Sequence, residues 1–282
     1  MVLTYQNALF FQLKIINMIC FLVPVKSEKL SSDWDKFSEL VNRSLKSING
    51  QKDEDFQIVV ACHELPTNKF EHPRVHYIEV DFGVPELTNE DWEKDRQLKE
   101  GDKARKIQHA FKYANDHFDV DYFMVVDSDD CIHNGISKYV NSRLKDNIPG
   151  WYVDKGYFYT EGSKFAFMIK SNFNVRCGTC IIIKKELFPQ VLQHEPYLYY
   201  FHEKIELEDN LSLLPYPKPA ALYSMANGEN HYMSQSKMMN LVNQTKLFTT
   251  EHIKSVYSKL SRYRPTFIGS RFKKTFTFYK IS

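Results

Sequence analysis

The apolar positions of this chain follow two periods, and the changes from one to the other lay out its elements. Residues 18–25, Met-Ile-Cys-Phe-Leu-Val-Pro-Val, are apolar without alternation, the pattern of a strand covered on both faces. A polar stretch follows at 26–32. Trp34, Phe37, Leu40, Val41, Leu45 and Ile48 then recur at three- and four-residue spacing. That predicts an amphipathic helix over 33–48, capped by Ser32 or Asp33 and ending near Asn49-Gly50. Residues 56–62 read as a second apolar strand, and 75–80 as a third that alternates and ends at Asp81. From 83 to 101 the chain is charged and poor in aliphatics, so a surface loop or lid is expected. Asp102 is the expected cap of the next helix, whose stripe is Ala104, Ile107, Phe111, Ala114 and Phe118. A buried strand at 121–126 comes directly after it. The order strand, helix, strand, strand, helix, strand predicts an α/β fold with a mainly parallel sheet flanked by helices.

The second half is patterned more weakly. A short helix over 136–144 ends before Pro149-Gly150, the one candidate seam. Two short aromatic strands then surround a turn at Lys155-Gly156, and further strands are predicted at 165–169, 179–183, 211–215 and 221–225. A short helix at 186–193 is interrupted by Pro189. Helical periodicity returns over 235–257, and the tail from Arg262 is basic and aromatic. The tail suits a covering strand, a flexible end or a peripheral contact with an anionic membrane surface. The predicted division is an extension at 1–17, a main domain at 18–232 with halves 18–149 and 150–232, and a C-terminal helical extension with a basic tail at 233–282.

Composition changes this picture in few places. A net charge of +2 argues against a dedicated nucleic-acid binder. The longest uncharged run near the start, 15–25, is too short to span a bilayer. Five cysteines in an odd, scattered set point to a reducing, cytoplasmic setting, and the Cys177-Gly-Thr-Cys180 spacing to a structural role.

The candidate chemistry sits at 122–132, Tyr-Phe-Met-Val-Val-Asp-Ser-Asp-Asp-Cys-Ile. A buried strand runs into three carboxylates within four positions, at the end of the strand where an open α/β sheet keeps its ligands. Asp127 and Asp129 share a face on an extended backbone, whereas in a turn either can pair with Asp130. Carboxylates this close raise one another's pKa unless a cation is present, so a divalent metal is their natural partner; a strand-ending turn with helix-capping residues is the plainer reading. Lys103, Arg105 and Lys106 fall in the first turn of the predicted helix, where cations oppose the dipole and an anion would compensate.

Lys103-Ala-Arg-Lys106, the helical stripe and the strand ending Asp127-Ser-Asp129-Asp130 together resemble the nucleotide-sugar-binding half of GT-A fold glycosyltransferases, particularly the family 2-like group. The opening Phe-Leu-Val-Pro-Val25 resembles that family's first strand, and 56–61 its second. The resemblance covers about 18–131, and more loosely extends to about 232. It implies a Rossmann-like nucleotide half with a DxD motif that binds Mn²⁺ or Mg²⁺ and the donor diphosphate. Asp129 becomes the principal metal ligand and Asp127 a ribose or metal contact, with Lys103, Arg105 or Lys106 assisting the diphosphate. Where many members carry an acidic residue after the second strand, this chain reads Ala61-Cys-His63-Glu64, and Glu64 is the substitute. The literal Glu-Asp base motif is Glu208-Asp209, but the spacing favours His202 or Glu203 as the catalytic base, with Asp209 as rival. His231 is the candidate late metal ligand, and Gly178-Thr179 lies where the family binds the donor sugar or acceptor.

The resemblance implies transfer of a sugar from a nucleotide-sugar donor, UDP-linked, to an acceptor hydroxyl on a glycan, lipid or small molecule, with inversion. Two other classes compete. A sugar nucleotidyltransferase requires a Gly-rich basic loop after the first strand, and 26–32 contains no glycine. A non-catalytic sugar- or partner-binding protein on a GT-A scaffold is the stronger rival.

Overall fold

The computed structural model describes residues 18–194, 198–225, 227 and 263–281. A seven-stranded sheet is its frame. Strand β1 (Ile19–Pro24) lies at the centre between β2 (Phe56–Cys62) and β4 (Tyr122–Val125), with β3 (Val75–Glu79) beyond β2, all parallel. On the other side β9 (Ile181–Lys184) joins β4 antiparallel, followed by β6 (Gly150–Tyr152) and β12 (Leu214–Pro215). The sheet is therefore mixed and mainly parallel, as the sequence predicts. All six residues of β1 are buried, which is why its apolar run has no polar break.

Helix α1 (Trp34–Asn49) starts where Asp33 accepts a hydrogen bond from the Lys36 amide and stops at Gly50. Its apolar side, including Leu40, Val41, Leu45 and Ile48, is fully buried. Helix α2 (Trp92–His117) departs from expectation. It begins ten residues before Asp102, capped by Asp91, whose side chain accepts from the amides of Glu93 and Lys94. Most of the predicted loop at 83–101 is thus helix. The charged stretch contains Glu, Lys, Arg, Gln and Leu, all good helix formers, and the Asp95 carboxylate fixes the preceding turn through the amides of Thr88 and Asn89. Lys103, Arg105 and Lys106 consequently lie in mid-helix, where the dipole argument has no force.

A second, five-stranded sheet carries the rest. Its order is β14 (Tyr263–Phe267), β8 (Phe165–Ile169), β7 (Gly156–Thr160), β13 (Ala221–Met225) and β5 (Cys131–Ile132). The expected aromatic strand pair around Lys155-Gly156 is divided, with β6 in the first sheet and β7 in the second. Gly150 makes the entry into β6: its φ is +152°, and a Cβ there would lie 2.2 Å from the Ile182 carbonyl oxygen. Helix α3 (Ile136–Asn141) packs beside the central strands. A two-stranded ribbon of β10 (Leu192–Gln193) and β11 (Tyr199–Tyr200) lies against α2, after a 3₁₀ segment at Lys185–Val191 that contains Pro189.

The basic tail is a covering strand. β14 pairs antiparallel with β8, and α4 (Ser270–Phe276) buries Phe272 and Phe276 against Tyr159, Ala166 and Leu222 in a small second core. Arg43 ties that core to α1. Its two terminal guanidinium nitrogens donate to Glu161 at 2.6 and 3.1 Å, and its guanidinium lies 4.9 Å from the Phe278 ring centre. All five cysteines are buried thiols with no disulfide among them. Among the described residues no helix is long and apolar enough to cross a membrane.

Candidate active site at the carboxyl end of the parallel strands

A cavity of about 340 Å³ opens where β1 and β4 end. Its floor is formed by Pro24, Val25 and Lys26 after β1 and by Asp127, Ser128 and Asp129 after β4. Helix α2 supplies Lys99, Glu100, Asp102, Lys103 and Lys106, and the second half of the chain supplies Arg176, Cys177, Gly178, His202, Glu203, Phe158, Tyr223 and Met225. This is the crevice beyond the strand ends that an open α/β sheet offers to ligands.

The three carboxylates have separate tasks. Asp130 is fully buried, accepting from the Thr179 hydroxyl at 2.5 Å, the Ser224 amide at 3.0 Å and the Cys177 thiol at 3.2 Å. Burial, then Asp129 and Asp127, push its pKa well above the usual carboxylate range. Asp130 therefore clamps β13 and the 177–179 loop to the end of β4 and does not line the cavity. Asp127 and Asp129 do. Asp127 meets the Lys103 ammonium at 2.6 Å, and Asp129 accepts from the Asn227 side-chain amide at 2.7 Å. Burial first and Asp127 second raise the Asp129 pKa to about 6.

Gly178 makes this approach feasible. A Cβ there would lie 2.9 Å from Asp127 Oδ2 and 3.0 Å from Lys103 Nζ. Burial opposes the Lys103 charge, but Asp127 and Glu100 beside it hold its pKa above the ordinary range. Glu100 is itself raised, chiefly by burial.

Mn²⁺ and Mg²⁺ take hard oxygen ligands, with one or two protein carboxylates and the remainder from phosphate and water. Two adjoining carboxylates at the cavity floor, one already raised in pKa by its surroundings, are a donor set of that kind. Among the described residues no cluster of three or more His, Cys, Asp or Glu side chains is arranged to hold a metal alone. His231 lies outside the described residues.

The remaining candidates divide clearly. Lys106 is buried and donates to Asp102 at 2.7 Å, while His63 meets the other Asp102 oxygen at 2.9 Å. Asp102, the expected helix cap, is therefore the centre of a buried His–Asp–Lys chain. Burial lowers the Lys106 pKa, with Asp102 opposing. Arg105 is exposed and lies over the Phe82 ring at 5.0 Å, outside the cavity lining. Glu64 accepts from the Ser27 hydroxyl and the Glu28 amide, both at 3.1 Å, and so shapes the loop after β1; it does not line the cavity.

His202 and Glu203 face the cavity, and Asp209 does not, lying exposed in a 3₁₀ turn with φ 57°. His202 Nδ1 lies 2.8 Å from the Asn174 carbonyl oxygen. A carbonyl can only accept, so Nδ1 carries the proton and Nε2 keeps its lone pair. Burial, then Lys103, lower the His202 pKa, which favours the neutral ring. Sequence reasoning missed Glu100 and the His63–Asp102 pair. The helix-forming composition of 92–101 was the available signal, because it places Glu100 and Lys103 on one helix face.

Fold and crevice together define a mixed α/β protein with an acidic, lysine-flanked ligand site at its strand ends. No family model matches the chain, and no curated protein matches it. Among solved structures it is similar to S. aureus TarS. The 1–349 form is 12% identical over 87% of this chain and 79% of that one, with a TM-score of 0.43. A second TarS structure is 13% identical over 87% of this chain and 43% of that one, at 0.36. TarS 1–349 in complex with UDP is 11% identical over 86% and 72%, at 0.39. At these TM-scores the likeness assigns no role to any residue.

Proposed function

We propose that this chain is a glycosyltransferase of GT-A type, moving a sugar from a UDP-linked donor to an acceptor hydroxyl with inversion. One observation carries the reading: Asp127 and Asp129 line one cavity with His202, and Lys103 stands 2.6 Å from Asp127. The nucleotide half is 18–149 and the acceptor half 150–232. Asp127 and Asp129 would hold Mn²⁺ or Mg²⁺, which when bound supplies Lewis-acid neutralisation of the leaving diphosphate. Lys103 adds a fixed positive charge on the same side, kept protonated by Asp127 and Glu100. Lys106 positions α2 through Asp102 and His63.

His202 Nε2 is the acceptor of the proton from the attacking hydroxyl. The Asn174 carbonyl fixes its tautomer, and general-base assistance of this kind contributes about 10²–10⁴-fold. Glu203 is exposed on the same rim and is the second choice; His231 remains the proposed additional metal ligand. A single base with a single displacement accords with inversion.

The test is hydrolysis of a panel of UDP-sugars with and without Mn²⁺, by wild type and Asp129→Ala. Mn²⁺-dependent release of UDP by wild type alone is expected. Absence of both hydrolysis and UDP binding across the panel would sink the enzyme reading and leave a binding protein on the same scaffold.

A further inference from the structure

We propose that the outer edge of the five-stranded sheet docks on an anionic lipid bilayer. Strands β8 and β14 present Phe165, Phe167, Pro265 and Phe267 on one face, as their register dictates: Phe167 pairs with Pro265 and Phe165 with Phe267. Phe165 and Phe167 are each 46% exposed and Phe267 62%, and the Phe165 and Phe267 rings stand 5.7 Å apart. A contiguous exposed aromatic patch of this kind marks an interaction surface. On the opposite face Ala166 of β8 packs against Phe272 and Phe276 of α4.

Charge identifies the occupant. Residues 163–174 and 263–281 contain seven Lys and Arg and no Asp or Glu, in a chain whose 37 basic and 35 acidic residues nearly cancel. Lys164, Arg264, Arg271, Lys273 and Lys274 are all exposed. The edge strand carries Phe267 on one face and Arg264 on the other, and Lys164 before β8 and Arg271, Lys273 and Lys274 on α4 add cations around the same edge, so a surface meeting the sheet edge-on meets both. Apolar insertion combined with a polybasic patch is the pair of signals that stable anchoring to an anionic leaflet requires. A partner adding a strand to this edge suits it less well, because Pro265 has no amide to donate and Arg264 stands exposed beside it.

The docking face continues inward. Phe167 pairs with Phe158, and Phe158 with Tyr223, both of which line the cavity. The apolar wall of the cavity thus begins one strand in from the docking surface. The inference does not depend on the transfer reaction.

The experiment is co-sedimentation of the full chain with phosphatidylcholine vesicles and with phosphatidylcholine vesicles containing phosphatidylglycerol. Binding is expected only with the anionic lipid, and it should weaken with added salt. A Phe165→Ser, Phe167→Ser, Phe267→Ser triple variant and an Arg264→Glu, Lys273→Glu, Lys274→Glu triple variant should each bind about tenfold or more weakly. Both should retain wild-type melting and UDP affinity, which separates this test from that of the active site. No binding, equal binding to neutral vesicles, or unchanged binding by the serine variant overturns the proposal. A dimer by light scattering that the serine substitutions dissociate assigns the face to a second copy instead. A fall in melting temperature with unchanged vesicle binding assigns it to residues 228–262 of the chain itself.

Discussion

The two sheets bury their strands differently, and the cavity lies between the two regimes. In the seven-stranded sheet β1 buries every residue, and β2 and β4 nearly so. In the five-stranded sheet the outer strand β8 buries only Ala166 and Ile169, on opposite faces, and leaves Phe165 and Phe167 exposed. The first sheet is a platform covered on both faces whose strand ends hold Asp127 and Asp129 fixed. The second packs Phe158 and Ile169 into the main core and Tyr159, Ala166 and Leu222 into the small one, opens to solvent at its outer strands β8 and β14, and reaches the cavity through Phe158, Tyr223 and Met225. A charged floor from the first sheet thus meets an apolar wall from the second at the cavity.

The sharpest test of that comparison is His202, the proposed base, which the later part of the chain brings to a cavity whose carboxylates follow β4. His202→Ala should lower turnover by about 10²–10⁴-fold with UDP affinity retained. With its pKa held below the ordinary histidine value by burial and Lys103, the wild-type rate should rise with pH and level off below about 6.5. Steady-state kinetics over pH 4.5 to 8 at saturating donor measure both. A rate unaffected by the substitution would pass the role to Glu203.

Next in size is the tie between the sheets. Arg43→Ala leaves Glu161 with its charge uncompensated, and breaking a largely buried pair of this kind costs about 3–5 kcal/mol. Denaturant unfolding should show the loss, and Cys131 of the small core should become reactive first if the second sheet opens separately. A loss under about 1 kcal/mol would mean the pair is solvated.

The smallest effect is at His133, which packs at the junction of β5, α3 and α4. Its Nδ1 accepts from the Gly135 amide, and burial, with Lys218 and Lys52 adding, lowers its pKa to about 4. A histidine that holds its proton less tightly when folded stabilises the fold fully above its unfolded pKa of about 6.5. That stability is lost as pH falls from there to about 4. The loss should be roughly 1–2 kcal/mol after allowance for partial exposure, and His133→Asn should flatten it. Chemical denaturation at pH 7 and pH 4.5 checks this.

What could be read in advance follows the same division. Strands covered on both faces are uninterrupted apolar runs, so β1, β2 and β4 were legible to within a residue or two. Helix α1 was equally plain, because Phe37, Leu40, Val41, Leu45 and Ile48 keep one period. The first third of α2 was not. Its residues pack through charged and polar groups, with Asp95, Glu100 and Asp102 buried, so composition suggested a loop although propensity favoured helix. The pairing of β6 and β7 with different sheets was also hidden, since the decision rests on partners far along the chain. Of the site, the carboxylate cluster was legible because it ends a buried strand. The clamp role of Asp130 was not, because its three donors come from Thr179, Cys177 and Ser224. Likewise Glu64 serves the loop after β1 and Lys106 serves Asp102, assignments that only the folded geometry decides.

On the proposed reading, the carboxylates after β4 take a cation together with a nucleotide diphosphate. Calorimetric titration of UDP into wild type and Asp129→Asn, each with and without Mn²⁺, tests it directly. The substituted amide can still accept from Asn227, and it removes a carboxylate whose pKa is already raised to about 6, so melting should be unchanged or slightly higher. Wild type is expected to bind UDP in a Mn²⁺-dependent manner, and Asp129→Asn to lose that dependence. Equal UDP affinity in the two proteins, or no UDP binding by wild type with Mn²⁺ present, would contradict the account.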